Sequence, residues 1–293
     1  MATNKSDSTF GDVQVPELVR KLLSSRKVLL GLSILMPVII ISGLGEIVTP
    51  FDPLQTHILD KYAAPGGKYV LGTDNLGRDL LSRVIVGGQS SLLLGFSATA
   101  FSMVFGVPIG LIAGYMGGRV DEYLMRLMDI LMSIPILLLG ILILVALPSS
   151  LINVIFAIGV VFVPRIGRVT RSATLSVSQE PYVMAAKSRG ESTPYILFQE
   201  ILPNVMAPIV VEASVRVGYA ILIGTSLSFL GLGAGPPNAD WGYMIATARN
   251  HIYETPWFLL WPSLALLLTI MATNLLGDGL NDVLDPRTGG GRL

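Results

Sequence analysis

Apolar positions gather along this chain in six long runs, about 28–48, 91–116, 124–146, 151–168, 206–230 and 257–277, with polar or Gly/Pro-rich stretches between them. A helix of about 20 residues at 1.5 Å per residue crosses a hydrocarbon layer of roughly 30 Å, so the runs predict an all-α polytopic membrane protein of about six spans. Within the second run, small residues recur at i, i+4: Ala98, Ser102, Gly106, Gly110, Gly114 and Gly118. Residues four apart share a helix face, and a face without side-chain bulk admits a second backbone, which predicts close helix packing there. Pro108 in the same run and Pro135 in the third predict bends.

Composition agrees with a membrane setting. With 52% hydrophobic and 14% charged residues over 293, and a mean hydropathy of +0.66, the chain lacks the polar surface of a soluble globule. A net charge of zero supplies no basic field for nucleic acid. The absence of cysteine excludes disulfides, thiolate metal sites and cysteine nucleophiles, and no metal-ligand cluster is read from the sequence. The apolar run after Lys27 is too long for a signal-peptide core, so it reads as a retained anchor.

Orientation follows from Lys and Arg. With the N-terminus inside, 14 of the 20 basic residues fall on the inner side, Lys61, Lys68, Arg78, Arg83 and Arg249 fall outside, and Arg216 sits within a span. That asymmetry places both termini in the cytoplasm. Tyr253, Trp257 and Trp261 then fall near the outer end of the last span, where aromatic rings favour the membrane interface. In the long outer loop of residues 50–90, NLGRDLLSRVI predicts a short amphipathic helix with Asp79 and Arg83 paired at i, i+4.

The inner stretch AAKSRGESTPYILFQEILPN, residues 185–204, interrupts the apolar pattern. Helix formers from Pro181 lead to Gly190 as a left-handed stop; Ser192 or Thr193 caps a second helix, Pro194 suits its first turn, and Pro203 closes it. Two readings stand for this helix, corner, helix unit: a knob for a cytoplasmic partner, or an amphipathic segment resting on lipid.

Charges inside the spans come next. Glu212 and Arg216 are four apart, and unpaired each would cost about 2.5–3.5 kcal/mol at the membrane centre, so they are expected to pair and to face protein or water. Lining a translocation pathway and forming a structural ion pair both fit them. Asp129 reads as a packing or loop-anchoring residue, and Asn274, Asp278 and Asp282 as ties from the last helix to the inner loops. No phosphate-binding loop occurs: GGKY at 66–69 lacks the first glycine and places Tyr69 where a metal-ligating hydroxyl belongs. Pro236 after GLGAG denies a dinucleotide turn, and GTSLS at 224–228 lacks the last glycine of a nucleophile elbow.

The spacing of Ala185, Ala186, Gly190, Leu202 and Pro203 resembles the cytoplasmic loop motif of permease subunits of ABC importers. LGTDNLGRDLLSR at 71–83, AGYMGGRVDEYLMRLMD at 113–129, LSFLGLGAGPP at 227–237, WGYMI at 241–245 and NLLGDGLNDVLDPR at 274–287 extend the likeness to the C-type subunit of the dipeptide, oligopeptide and nickel transporter family. The resemblance implies a type I permease fold. It divides the chain into a cytoplasmic segment 1–27, a first span with its outer loop 28–90, a core 91–280 containing a coupling loop 171–205, and a cytoplasmic tail 281–293. It further implies that Ala185, Ala186, Lys187, Arg189, Gly190, Ser192, Pro194, Tyr195 and Leu197 meet an ATPase subunit. Met184 and Glu200 depart from the usual loop pattern.

On the same resemblance, this subunit of the cytoplasmic (inner) membrane would hold no cofactor and catalyse no reaction. It would work with a homologous B-type permease, two ATP-binding subunits that use ATP and Mg, and an extracytoplasmic substrate-binding protein. Its cargo would be a dipeptide or oligopeptide, with nickel or a metal chelate as the alternative. An ion-coupled secondary transporter and a non-transporting membrane scaffold are the readings from other classes.

Overall fold

The apolar runs become helices, and most of those helices continue past the ends of the runs. The computed structural model describes the backbone of residues 15–284, and side chains from Arg20 onward except Glu46; residues 1–14 and 285–293 of the predicted terminal segments, with Lys5, Arg287 and Arg292, lie outside the described residues. Val15–Ser24 forms α1 and Arg26–Leu44 α2; Leu80–Met116 forms α3, Gly118–Ser133 α4, Ile136–Val145 α5 and Leu151–Val177 α6. Pro181–Ser188 is α7 and Thr193–Tyr195 α8, a π-helical turn spans Ile196–Ile201, and Leu202–Phe229 is α9; Trp241–Ala248 is α10 and Pro256–Leu284 α11. Among the described residues, five helices are long and apolar enough to cross a membrane, and the bent pair α4–α5 is a sixth candidate.

The bend predicted at Pro135 is present, and two other expectations are corrected. That bend is sharp, with α4 and α5 meeting at 88°, because Pro135 cannot continue the ladder and holds Ile134 extended. The separate amphipathic helix predicted at 75–85 is instead the first part of α3, which runs unbroken through Pro108 for 37 residues, about 55 Å. Asp79 does not pair with Arg83. It caps α3, accepting from the Ser82 backbone N–H at 2.8 Å and the Ser82 hydroxyl at 2.7 Å.

Arg83 turns instead toward the preceding loop, where it is 1% exposed, donates to the Pro53 carbonyl at 3.0 Å and lies 3.5 Å from Asp74. Asp74 is wholly buried and organises that loop. It accepts from the backbone N–H of Leu76 and Arg78 and from Arg78 Nε at 2.6 Å. The loop then packs on α11 and on the turn after α10: Trp261 Nε1 donates to the Leu71 carbonyl at 3.1 Å and Tyr62 meets His251 at 3.1 Å, while Trp241 Nε1 of α10 donates to the Val84 carbonyl of α3 at 2.9 Å. Trp261 thus fastens a loop, while Tyr253 is 98% exposed and Trp257 partly so. Removing the carboxylate in Asp74→Asn leaves two buried arginines uncompensated, a loss of about 3–5 kcal/mol; limited proteolysis should then cleave residues 53–70 at protease levels that spare the wild type.

The core lies between α3, α6 and α9. Leu94, Ala98, Ala157, Ile158, Phe162, Ala220 and Leu227 are buried there, and Leu139 and Leu144 of α5 close one side. The most extensive helix contact is α3 with α6. Gly106 faces the Val163 carbonyl and Ile166, Gly110 faces the Gly167 carbonyl and Thr170, and Gly114 faces Thr174. A Cβ at Gly110 would sit 2.4 Å from the Gly167 oxygen, so the backbones are as close as glycine allows. Gly118 leaves the series: it starts α4 at φ +53° with open space beside it.

Candidate functional site

The α7–α8 corner is built by a glycine. Arg189 ends α7, Gly190 adopts φ +78°, and the backbone N–H groups of Gly190 and Glu191 return to the carbonyls of Lys187 and Ala186 at 3.1 and 3.3 Å. This is a Schellman closure, which satisfies the helix-end carbonyls and reverses the chain with a left-handed residue. Ser192 precedes α8 in extended backbone but makes no side-chain cap, and Pro194 lies in the first turn. Pro203 does not close the second helix, contrary to the sequence reading. The chain passes from α8 through the π turn into α9, and Pro203 sits in α9's first turn, where its missing N–H costs little.

The corner is packed against the bundle. Val183 and Ala186 of α7 and Ile196, Leu197 and Ile201 of the π turn are buried with Leu111 of α3, Val205 and Ile209 of α9, and Val177 of α6 packed beside them. Burial beside the Glu180 and Glu200 carboxylates pushes the Tyr182 phenol above its ordinary pKa, keeping it neutral. Arg189 spans the corner, 3.6 Å from Glu191 and 3.7 Å from Glu200. The unusual Glu200 therefore has a partner.

The nine residues singled out at the corner divide by burial. Ala185, Lys187, Arg189, Gly190, Ser192, Pro194 and Tyr195 are exposed, whereas Ala186 and Leu197 are buried beneath them. Met184, Ser188, Thr193 and Phe198 share the exposed tip but are not among the residues that the resemblance assigns to the ATPase contact. Helical spacing carries a signal for two of them: Ser188 lies one turn after Met184, and Phe198 three residues after Tyr195.

Higher in the bundle, Glu212 and Arg216 pair at 2.7 Å on α9, with 17% and 11% side-chain exposure. Arg165 of α6 joins them, its Nε 3.4 Å from Glu212. Sequence reading placed Arg165 at the inner end of a span that stops at 168; α6 continues to Val177, which brings Arg165 to the middle of the helix. Arg216 also lies over the Phe162 and Tyr219 rings, at 5.6 and 5.1 Å. One carboxylate between two guanidinium groups leaves a net positive site. It borders a cavity of about 160 Å³ lined by Arg165, Arg216, Phe162 and, from the α4–α5 break, Met132, Ile134 and Ile136.

One turn further along α6, arginines tie α4 down. Arg168 pairs with Asp129 and Arg171 with Asp121, while Arg126 pairs locally with Glu122 at 2.7 Å. Asp129 therefore anchors a helix to a helix. Asp282 meets Lys27 at the start of α2 at 2.7 Å, which ties the last helix to the first span. Among the described residues, no group of His, Cys, Asp and Glu is arranged to hold a metal.

Comparison with known proteins is consistent throughout the chain. A dipeptide transport system permease protein of Alkalihalophilus pseudofirmus is 38% identical over 271 residues, 92% of this chain and 89% of that protein. A di/tripeptide transport system permease protein of Pseudomonas aeruginosa is 40% identical over 88% of this chain and 87% of its own length. A probable D,D-dipeptide transport system permease protein of Escherichia coli is 42% identical, with 82% of this chain and 80% of that protein covered. Among solved structures, an inward-facing methionine ABC transporter, MetNI, superposes with a TM-score of 0.58 at 16% identity, covering 69% of this chain and 96% of its own; at that identity the likeness concerns the fold. Residues 106–290, which include the glycine face, the corner and the charged cluster, match the binding-protein-dependent transport system inner membrane components, and this chain belongs to that family.

Proposed function

We propose that this chain is a transmembrane permease subunit of an ATP-driven ABC importer of dipeptides or oligopeptides. The observation that carries the reading is the corner at Gly190: a solvent-exposed tip on a buried base, continuous through the π turn with a membrane helix. Force applied to such a tip moves α9, because no flexible linker intervenes. The similarity to dipeptide and di/tripeptide permeases supports a peptide cargo. In this proposal both termini face the cytoplasm. A homologous permease completes the pathway, two ATP-binding subunits with their ATP and Mg dock at the corner, and a substrate-binding protein delivers cargo to the surface formed by residues 45–79 and 231–255.

Within it, Glu212, Arg216 and Arg165 border the pathway. A zwitterionic peptide brings a carboxylate and an ammonium, and the site offers two guanidinium groups and one carboxylate. Glu212→Gln would leave Arg165 and Arg216 uncompensated and trap peptide carboxylates, so ATP-driven uptake in proteoliposomes should fall about tenfold with assembly intact. Arg216→Gln should weaken uptake of the same peptides. Normal uptake by both variants removes the pathway role and leaves a structural ion pair.

A further inference from the structure

An apolar groove of about 650 Å³ opens between α2, α3, α9 and α11, with Leu22 and Leu23 of α1 at one end. Its lining holds three hydroxyls, and each is spent on its own helix: Thr99 donates to Gly95, Ser214 to Val210, and Thr273 to Thr269 and Ile270. The groove therefore offers nothing to a polar solute and suits hydrocarbon. Its α1 end is cationic. Arg20, Lys21, Arg26 and Lys27 occupy eight consecutive positions without an acidic residue, set against Asp278 and Asp282 of α11, of which Asp282 is paired with Lys27. Arg20 and Arg26 are exposed.

We infer that this groove binds an anionic phospholipid, its acyl chain between α3 and α9 and its headgroup against Arg20 and Arg26. The inference rests on the cytoplasmic placement of α1 proposed above. Val28 and Leu32 near the start of α2, and Leu276 and Leu280 near the end of α11, line the groove, so it opens within the leaflet next to α1. A basic helix end beside a hydrocarbon slot is the arrangement that selects charged headgroups of the inner leaflet. The lipid would brace α1 and α2 against α3 and α9, helices whose direct contacts leave this space open.

The test is native mass spectrometry of the intact transporter, extracted in mild detergent and exchanged through mixed micelles of phosphatidylglycerol or of phosphatidylcholine with identical acyl chains. One phosphatidylglycerol per chain should survive where phosphatidylcholine is lost. Retention should fall about fivefold in Arg20→Gln/Arg26→Gln and vanish in Ala100→Trp, which fills the groove from an exposed lining position. Equal retention of the two lipids, or retention unchanged in both variants, overturns the inference. The chain has no cysteine, so Ala100→Cys carrying a benzophenone reports the occupant directly: adducts with phospholipid support it, and adducts with another subunit's helix overturn it. Labelling of Ser24→Cys by an impermeant maleimide in right-side-out vesicles would overturn the cytoplasmic placement and this inference with it. Peptide uptake by the unmodified complex is scored separately, so failure of the lipid site and failure of the transport reading remain distinguishable.

Discussion

Gly110→Leu should prevent the chain from accumulating in the membrane as a folded protein, the largest stability effect expected of any single change on the α3–α6 face. Even a Cβ at this position would meet the Gly167 carbonyl at 2.4 Å, Thr170 Cβ at 2.5 Å and the Arg171 N at 2.9 Å. Two of these are backbone atoms, which cannot rotate aside, so the helices must separate along their whole contact. Overpacking of an ordinary core costs about 1–3 kcal/mol; the loss here should exceed about 3 kcal/mol, because Gly106 and Gly114 lose their contacts too. Gly43→Leu is the control: nothing lies within 4 Å of its Cβ position and it is exposed. Fluorescence-detected size exclusion after mild solubilisation reads both. A monodisperse Gly110→Leu peak at wild-type level would show that the two backbones can part at small cost.

Tyr195→Asp should uncouple the transporter while leaving this chain intact. Tyr195 is 42% exposed on the tip, next to Pro194 in the chain, whereas Leu197 is 5% exposed. A charge on the exposed ring position disturbs a docked surface but no buried contact of this chain, so thermal stability should change by less than about 1 kcal/mol. ATP-driven peptide uptake should drop at least tenfold, with ATPase subunits lost on size exclusion. Leu197→Ala makes the opposite split, because it removes buried apolar volume and should cost about 2–5 kcal/mol of stability. If Tyr195→Asp retains full uptake and both ATPases, the tip is not the docking surface.

How much of this was legible beforehand depended on the range of the interaction. The glycine face could be read because residues four apart must share a helix side, and Gly106, Gly110 and Gly114 do meet α6. The pairing of Glu212 with Arg216 was legible for the same reason. Asp79 and Arg83 show the limit of that rule. Their spacing allowed a pair, but Asp79 lies at the helix start, where unsatisfied N–H groups compete for its carboxylate, and Arg83 found Asp74 and Pro53 across a loop.

The sequence by itself determined the membrane setting, the approximate spans and the corner at Gly190, since hydrophobic period, helix stops and left-handed glycines are local properties of neighbouring residues. Tertiary structure alone decided which charges distant in the chain meet. Arg165 with Glu212, Arg168 with Asp129, Arg171 with Asp121 and Lys27 with Asp282 join residues far apart in the chain, and only the positions of whole helices bring them together. It likewise decided that helix continues through Pro203, whereas the bend at Pro135 was already legible from the sequence. A proline in a first turn lacks only an N–H that would be unsatisfied anyway, whereas one at the α4–α5 junction forces its predecessor out of helical backbone and leaves the sixth crossing bent.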